Sequence, residues 1–203
     1  MVAWLDIIGS IVIAGTLMIS MLNINSNLMD RCHGANASLV AERDGAGLLE
    51  VLGTEFRRIG LRSTAPSAIL VAGADTLRFV GNVEADTSSS SAPDTVMYCL
   101  GPLDATTPNP NDHALYRVRG AGAPDTMKVA TGVTSLDFQY FDVSGTLLDA
   151  ATAAGSPSLV KGIELTVRLE NTTPIMEWNP DSLAIVPTYP GQDWLIRVRP
   201  KNL

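Results

Sequence analysis

The sequence has few of the residues on which chemistry at a protein site usually depends. Of its 203 residues, two are cysteine, two are histidine and 5% are aromatic. Cys32 and Cys99 lie far apart and form no Cys-x-x-Cys pair, so neither a zinc site nor a thioredoxin-like motif is indicated. His33 follows Cys32 directly, but a third ligand at a suitable spacing is missing. We therefore predict no metal site and no bound cofactor.

Basic charge is also scarce. The chain carries 14 Lys and Arg residues against 21 Asp and Glu, which gives a net charge of -7. A nucleic acid held through phosphate contacts needs a basic surface, so no nucleic-acid partner is predicted. The patterns of Gly-x-Ser-x-Gly hydrolases, His-Glu-x-x-His metalloproteases and nucleotide-binding loops are missing as well. The chain is therefore not expected to be an enzyme.

One polar loop contains several oxygen ligands of the type that calcium prefers. Asp104, Asn109, Asn111 and Asp112 follow one another between two predicted strands. Their spacing fits no EF-hand, so an ordinary turn is the favoured interpretation.

Charge of either sign is missing from a long apolar run. No charged residue stands between Asp6 and Asp30. As a helix, residues 7–29 are long enough to cross the ~30 Å hydrocarbon core of a bilayer. A buried core helix rarely lacks charge over such a length, and a cleaved secretory signal usually has basic residues before its apolar run. We predict a retained membrane helix within residues 1–30.

The apolar run contains small residues and one carboxylate at its edge. Gly9 and Gly15 are suited to close helix–helix approach, which makes them candidate assembly residues. We also expect the helix to be continuous or gently kinked in a membrane and to be able to lose a helical turn near Gly15 when subunits pack into a fibre. Asp6 is costly to bury in lipid without a partner. It either pairs with a group on another subunit or caps the helix start in the headgroup layer, and the sequence leaves both open.

A second helical segment is predicted at about residues 35–62. Its apolar residues recur at helical spacing, whereas its charged residues lie mostly off that stripe. Gly34, Gly45, Gly47 and Gly53 are expected to weaken and locally bend it, and Gly60 to end it. The residues of the stripe are Leu39, Val40, Leu48, Leu49, Val51, Leu52, Phe56 and Ile59.

Short segments rich in β-formers follow, at about residues 68–203. The clearest alternates apolar and polar residues from Ile163 to Leu169, as expected for a half-buried antiparallel strand. Residues 86–94, 104–112 and 172–192 are predicted loops, and the last, with four prolines, a long surface excursion. The predicted strands are Ala68–Ala72, Thr76–Val80, Thr95–Leu100, Ala114–Arg119, Val133–Asp142, Gly162–Glu170 and Trp194–Pro200.

The expected fold is α+β: one long N-terminal helix, transmembrane in its first half, packed on an antiparallel β-sheet. Residues 31–203 form the expected exported domain. The amphipathic half of the helix buries one face on the sheet, while the apolar half has no domain to pack on. That half must therefore lie in a membrane or in the core of an assembly.

Four segments, in this order, resemble the type IV pilin-like family, in particular its minor pilins and J-type minor pseudopilins. They are Trp4–Ile13, with an acidic residue near the front of an apolar helix; Glu55–Leu61, similar to an acidic-x-Arg-Arg-x-Gly helix end; Val133–Asp142, similar to a central strand; and Arg197–Leu203, similar to a frequent ending. Asp6 is an aspartate where the family usually has glutamate.

The resemblance implies a structural role rather than a chemical one. It implies that Asp6 pairs with the amino terminus of a neighbouring subunit, and that the chain assembles with other pilin subunits after a membrane stage. Processing by a prepilin peptidase, the assembly machinery and a cell-surface or periplasmic filament are implied in the same way. The main alternative is a membrane-tethered binding or adhesion module that does not polymerise. Export also leaves two states open for Cys32 and Cys99, a disulfide or two free thiols.

Overall fold

The computed structural model describes residues 2–65, 67–83, 93–120 and 125–203. A single helix, α1 (Val2–Arg57), occupies the first quarter of the chain, and a short helix, α2 (Ala150–Gly155), precedes a 3-10 turn at Pro157–Leu159. The strands are β1 (Ile69–Ala72), β2 (Thr76–Gly81), β3 (Asp94–Leu103), β4 (His113–Arg119), β5 (Asp125–Phe141), β6 (Leu147–Leu148), β7 (Gly162–Glu170), β8 (Ile175–Asn179), β9 (Ala184–Thr188) and β10 (Gly191–Val198).

Within the described residues, eight strands form one antiparallel sheet in the order β1-β2-β3-β4-β5-β7-β10, with β6 beside β5. The 17-residue β5 holds the sheet together because its first half pairs with β4 and its second half with β7. β8 and β9 form a separate hairpin. The expected α+β fold, a long N-terminal helix packed on an antiparallel sheet, is confirmed.

The strand predictions differ from the structure mainly in length and in one region. Gly162–Glu170 matches β7 at both ends, whereas the predicted Val133–Asp142 covers only the second half of β5. Residues 172–192 lie at the surface as predicted, but their prediction as a loop is wrong, because they contain β8, β9 and the start of β10. Pro187 lies inside β9 but is tolerated there, since that strand has a neighbour on one side only. Most of the predicted loop at residues 86–94 lies outside the described residues.

The helix meets the sheet through Leu48, Leu52 and Phe56, which the predicted stripe contained, and through glycines that it did not contain. Its buried face begins at Gly34 and continues through Gly45 to Phe56. Leu39, Val40 and Val51 were predicted to face the sheet, but they are exposed, so that part of the prediction is wrong. The hydrophobic pattern identified large side chains of the buried face, but it could not identify the glycines, which carry no hydrophobic signal.

The glycines of this face are positions of close approach. An ideal Cβ atom on Gly45 would lie 2.6 Å from Nε1 of Trp194 on β10, and one on Gly53 would lie 2.6 Å from Cδ1 of Ile196. Further up the helix, a Cβ on Gly34 would lie 3.0 Å from Cδ1 of Ile175 on β8. These glycines allow the helix and strands to touch.

Substitution of Gly45 and Gly47 by alanine should have opposite effects. Gly45→Ala forces the Trp194 ring to move and should lower the free energy of unfolding by about 1–3 kcal/mol. Gly47 has open space at its Cβ position, so Gly47→Ala should raise the free energy of unfolding by about 0.5–1 kcal/mol through helix propensity. Urea unfolding of the full chain in detergent micelles measures both. Equal effects of the two variants would contradict this packing.

Candidate functional site

The first thirty residues of α1 extend beyond the sheet. Among the side chains that the structure describes before Gly34, none is buried. At 1.5 Å per residue this part of the helix is ~45 Å long. The helix from Asp6 onward contains a window that is apolar and long enough to cross a membrane. The exposed large apolar residues of the first thirty helical residues are Trp4, Ile7, Ile8, Ile11, Val12, Ile13, Leu17, Met18, Ile19, Met21, Leu22, Ile24, Leu28 and Met29.

The hydroxyl groups within this segment bond to the backbone of the same helix. Ser10 Oγ donates to the Asp6 carbonyl oxygen at 2.8 Å, and Ser20 Oγ donates to the Thr16 carbonyl oxygen at 2.9 Å. Thr16 Oγ1 donates in turn to the Ile13 carbonyl oxygen at 2.9 Å. Since each hydroxyl proton already has an acceptor, these side chains can enter an apolar environment at low cost.

The three predicted assembly residues lie on this projecting segment without partners. A Cβ atom on Gly9 or Gly15 would meet no described heavy atom within 4 Å, so neither glycine serves packing inside this chain. The Asp6 side chain is exposed, and the described residues offer it neither a hydrogen bond nor an ion pair. Their assignment as assembly residues therefore stays a prediction.

The other end of the helix is held to the sheet by a partly buried ion pair between Glu55 and Arg117. Arg117 on β4 approaches Glu55 with both Nη2 and Nε, at 3.0 and 3.1 Å from the two carboxylate oxygens. The Tyr98 hydroxyl on β3 donates to the same carboxylate at 2.6 Å. Burial and the neighbouring Glu55 charge raise the pKa of Tyr98, so its hydroxyl stays protonated and donates. Although burial alone lowers the pKa of Arg117, its bonds to Glu55 raise it overall.

The chain beyond the helix is joined to β2. Arg58 Nη1 donates to the Val83 carbonyl oxygen at 2.6 Å, and the Gly60 amide donates to the Val80 carbonyl oxygen at 2.8 Å. Gly60 has a φ of 76° and lies against the Asn202 backbone, where a side chain would collide. The expected helix end at Gly60 is close to the observed last residue, Arg57. The Glu55–Leu61 segment thus fixes the orientation of the helix relative to the sheet.

The structure keeps Cys32 and Cys99 apart, and both thiols are free. Cys99 is next to Tyr98, which bonds to Glu55, whereas Cys32 precedes Glu55 by 23 residues, about 35 Å of helix. A disulfide needs Cα atoms within about 7 Å. The considered bridge is therefore not present in this fold.

Mass measurement of the unreduced, alkylated protein tests this placement of the cysteines. We expect two alkylated thiols per chain, with Cys32 modified first because it is exposed. Cys99 should react more slowly, since burial raises the pKa of its thiol. A chain in which Cys32 and Cys99 are both unalkylated and joined by a disulfide would contradict the structure.

The loop between β3 and β4 bonds Asp104 and Asn109 to residues outside it, whereas the two buried carboxylate oxygens of Asp112 have no hydrogen-bond partner among the described residues. Asp104 accepts from Lys128 Nζ at 2.6 Å, and this bond together with those from Thr106 lowers the pKa of Asp104 to about 2. Asn109 is buried and donates to Glu170 at 3.3 Å. Asp112 is fully buried, and burial raises its pKa. In the part of the chain that the structure describes, no three His, Cys, Asp or Glu residues are grouped to hold a metal ion.

Comparison with known proteins identifies the fold. No protein-family model and no curated protein sequence matches the chain. Among solved structures, a type IV-like pilin from Thermus thermophilus superposes with a TM-score of 0.50 and 16% sequence identity. The match covers 80% of this chain and 97% of that one. The chain therefore has a pilin-like α+β fold, in agreement with the resemblance of its sequence segments.

Proposed function

We propose that the chain is a structural, non-enzymatic subunit of a type IV pilus-like filament or type II secretion pseudopilus, assembled through its N-terminal helix. The observation that carries this proposal is the projecting apolar segment of α1, whose described side chains are all unburied within the chain. Removal of apolar surface from water lowers the free energy by about 25 cal/mol per Å². A segment of this length is thus driven either into a bilayer or against helices of other subunits.

The two halves of α1 divide these tasks. Before assembly, residues 1–30 anchor the subunit in the cytoplasmic membrane, and residues 31–203 lie outside it. After extraction by the assembly machinery, the same segment packs among other pilin subunits, with Gly9 and Gly15 at points of close approach. The size of the chain and its long loops favour a minor subunit. The internal bonds of Ser10 and Thr16 support this exchange, because they suit either apolar environment.

Asp6 is assigned to subunit recognition. Its exposed carboxylate lies at the start of an uncharged segment, and a partner charge, such as the amino terminus of a neighbouring subunit, would remove the cost of burying it. The resemblance to pilin-like chains points to the same pairing.

Asp6→Ala should strongly reduce incorporation into filaments and leave the amount in the membrane unchanged, because only the assembled state buries the carboxylate. Quantitative immunoblots of sheared filaments and of membranes measure the two pools. Glu42→Ala is the matched control, since Glu42 is an exposed carboxylate on the sheet-packed half of the same helix. Normal incorporation of Asp6→Ala, or an equal loss in both variants, would remove Asp6 from the recognition step.

A further inference from the structure

The β8–β9 hairpin presents an apolar face that nothing in the described chain covers. Trp178 and Ile185 are cross-strand partners, as are Met176 and Pro187, so these four side chains share one face. Trp178 is 61% exposed, Ile185 63% and Met176 60%. Leu183, in the turn that joins the strands, is 74% exposed. Large exposed apolar residues that are grouped in this way usually mark an interaction surface.

The opposite face of the hairpin fixes its position along α1. Ile175 packs against Gly34, where a Cβ atom would lie 3.0 Å from its Cδ1 atom. Gly34 is the fifth residue after Met29, the last residue of the uncharged run, so the contact lies about 8 Å of helix beyond that run. β8 continues for four residues after Ile175, so the turn that contains Leu183 begins about 13 Å from the contact between Ile175 and Gly34.

The chain also advances toward the apolar run as it enters the hairpin. Asn171, which directly follows β7, lines a groove together with Ser38 and Ala41 of α1. Ile175, four residues later, contacts Gly34, which is closer to the apolar run. The hairpin therefore lies at the end of the sheet domain from which the projecting helix emerges. With residues 7–29 across a bilayer, this end of the domain is level with the headgroups.

We propose that the β8–β9 hairpin is a second membrane contact, which rests its Trp178 face in the lipid headgroup region while the subunit is anchored. The inference rests on the membrane stage of the proposed function. A tryptophan flanked by aliphatic side chains is the composition that the bilayer interface favours. Residues 172–190 contain no lysine or arginine, and their charged residues are Glu177 and Asp181. The contact is therefore apolar and does not require anionic lipid.

A bilayer is favoured over a second copy of the chain as the occupant because of position. The hairpin is beside the membrane span in every anchored subunit, whether or not a filament forms. Such a contact limits the tilt of the domain and holds α1 at a fixed angle before extraction. Release of the hairpin then becomes part of the transfer from bilayer to filament.

The test uses the full chain with Cys32→Ser and Cys99→Ser, reconstituted in phosphatidylcholine vesicles. A polarity-sensitive fluorophore is attached to Trp178→Cys, and quencher-bearing phospholipids report contact with the bilayer. Val143→Cys is the matched control, because Val143 is also exposed but follows the far end of β5, in the turn whose Gly145 lies against Arg199. Ile13→Cys, within the predicted span, reports whether the helix is in the membrane at all.

We expect lipid quenching at position 178 to lie between the strong quenching at position 13 and the lack of it at position 143, and to be independent of salt. Quenching at 13 but not at 178 would overturn the hairpin contact and leave the membrane stage intact. A blue-shifted emission at 178 without lipid quenching would also overturn it, since protein would then cover the face. No quenching at position 13 would reject the membrane stage and the hairpin contact together.

Discussion

Glu55→Ala should lower the free energy of unfolding of the sheet domain by about 2–3 kcal/mol, which is less than the usual cost of removing one partner of a fully buried ion pair, because Glu55 and Arg117 are only partly buried. The substitution leaves the Arg117 guanidinium without its partner at 3.0 Å and removes the acceptor of the Tyr98 hydroxyl. Both groups lie between helix and sheet, where water cannot fully replace the carboxylate. Urea unfolding of the full chain in micelles, followed by near-UV circular dichroism, measures the loss.

Two further variants separate the ion pair from general effects of substitution. Glu50→Ala removes an exposed carboxylate from the same helix and should change the free energy of unfolding by less than about 0.5 kcal/mol. Glu55→Gln keeps the size of the side chain and an acceptor for Tyr98. Its free energy of unfolding should therefore lie between those of Glu55→Ala and Glu50→Ala. If Glu55→Ala were no worse than Glu50→Ala, the ion pair would not hold the helix to the sheet.

Deletion of residues 1–26 should convert a membrane-bound chain into a soluble, folded monomer. The described side chains that are lost make no buried contact with the sheet, whereas the packing face from Gly34 to Phe56 remains. Sedimentation and near-UV circular dichroism of the truncated chain measure its size and its tertiary structure.

A longer deletion gives the matched comparison. Removal of residues 1–47 also takes away the Gly34 and Gly45 contacts and uncovers Ile175 and Trp194, so this shorter chain should be unstable or aggregated. An unfolded or polymerised product from the first deletion would contradict the division of α1 into a projecting half and a packed half.

The sheet was predictable from sequence where one face of a strand is buried. From Ile163 to Leu169 the apolar residues alternate, and β7 has this alternation in its burial. The helix face was less predictable, because Gly34 and Gly45 carry no hydrophobic signal and their role depends on Trp194 and Ile175, distant in sequence. The hairpin was missed because its prolines read as turn signals, although Pro187 lies inside β9.

The candidate assembly site was visible in the sequence for a simple physical reason. An uncharged segment of this length has few stable environments, and the structure places it outside the sheet domain. Specific roles for Asp6, Gly9 and Gly15 stay predictions, because they depend on a neighbouring subunit. The separation of Cys32 and Cys99 depends on the continuous helix and on the contact between Tyr98 and Glu55, two residues that are distant in sequence.

The central claim is that the projecting helix packs against other pilin subunits in a filament. A photo-cross-linking residue at Ile13, which is exposed in the isolated chain, tests it in sheared filaments from producing cells. The account predicts that the chain is present in the filament fraction and is cross-linked there to the apolar helix of another subunit. A chain that stays entirely in the membrane fraction, with cross-links to lipid alone, would contradict it and would support a tethered module that does not polymerise.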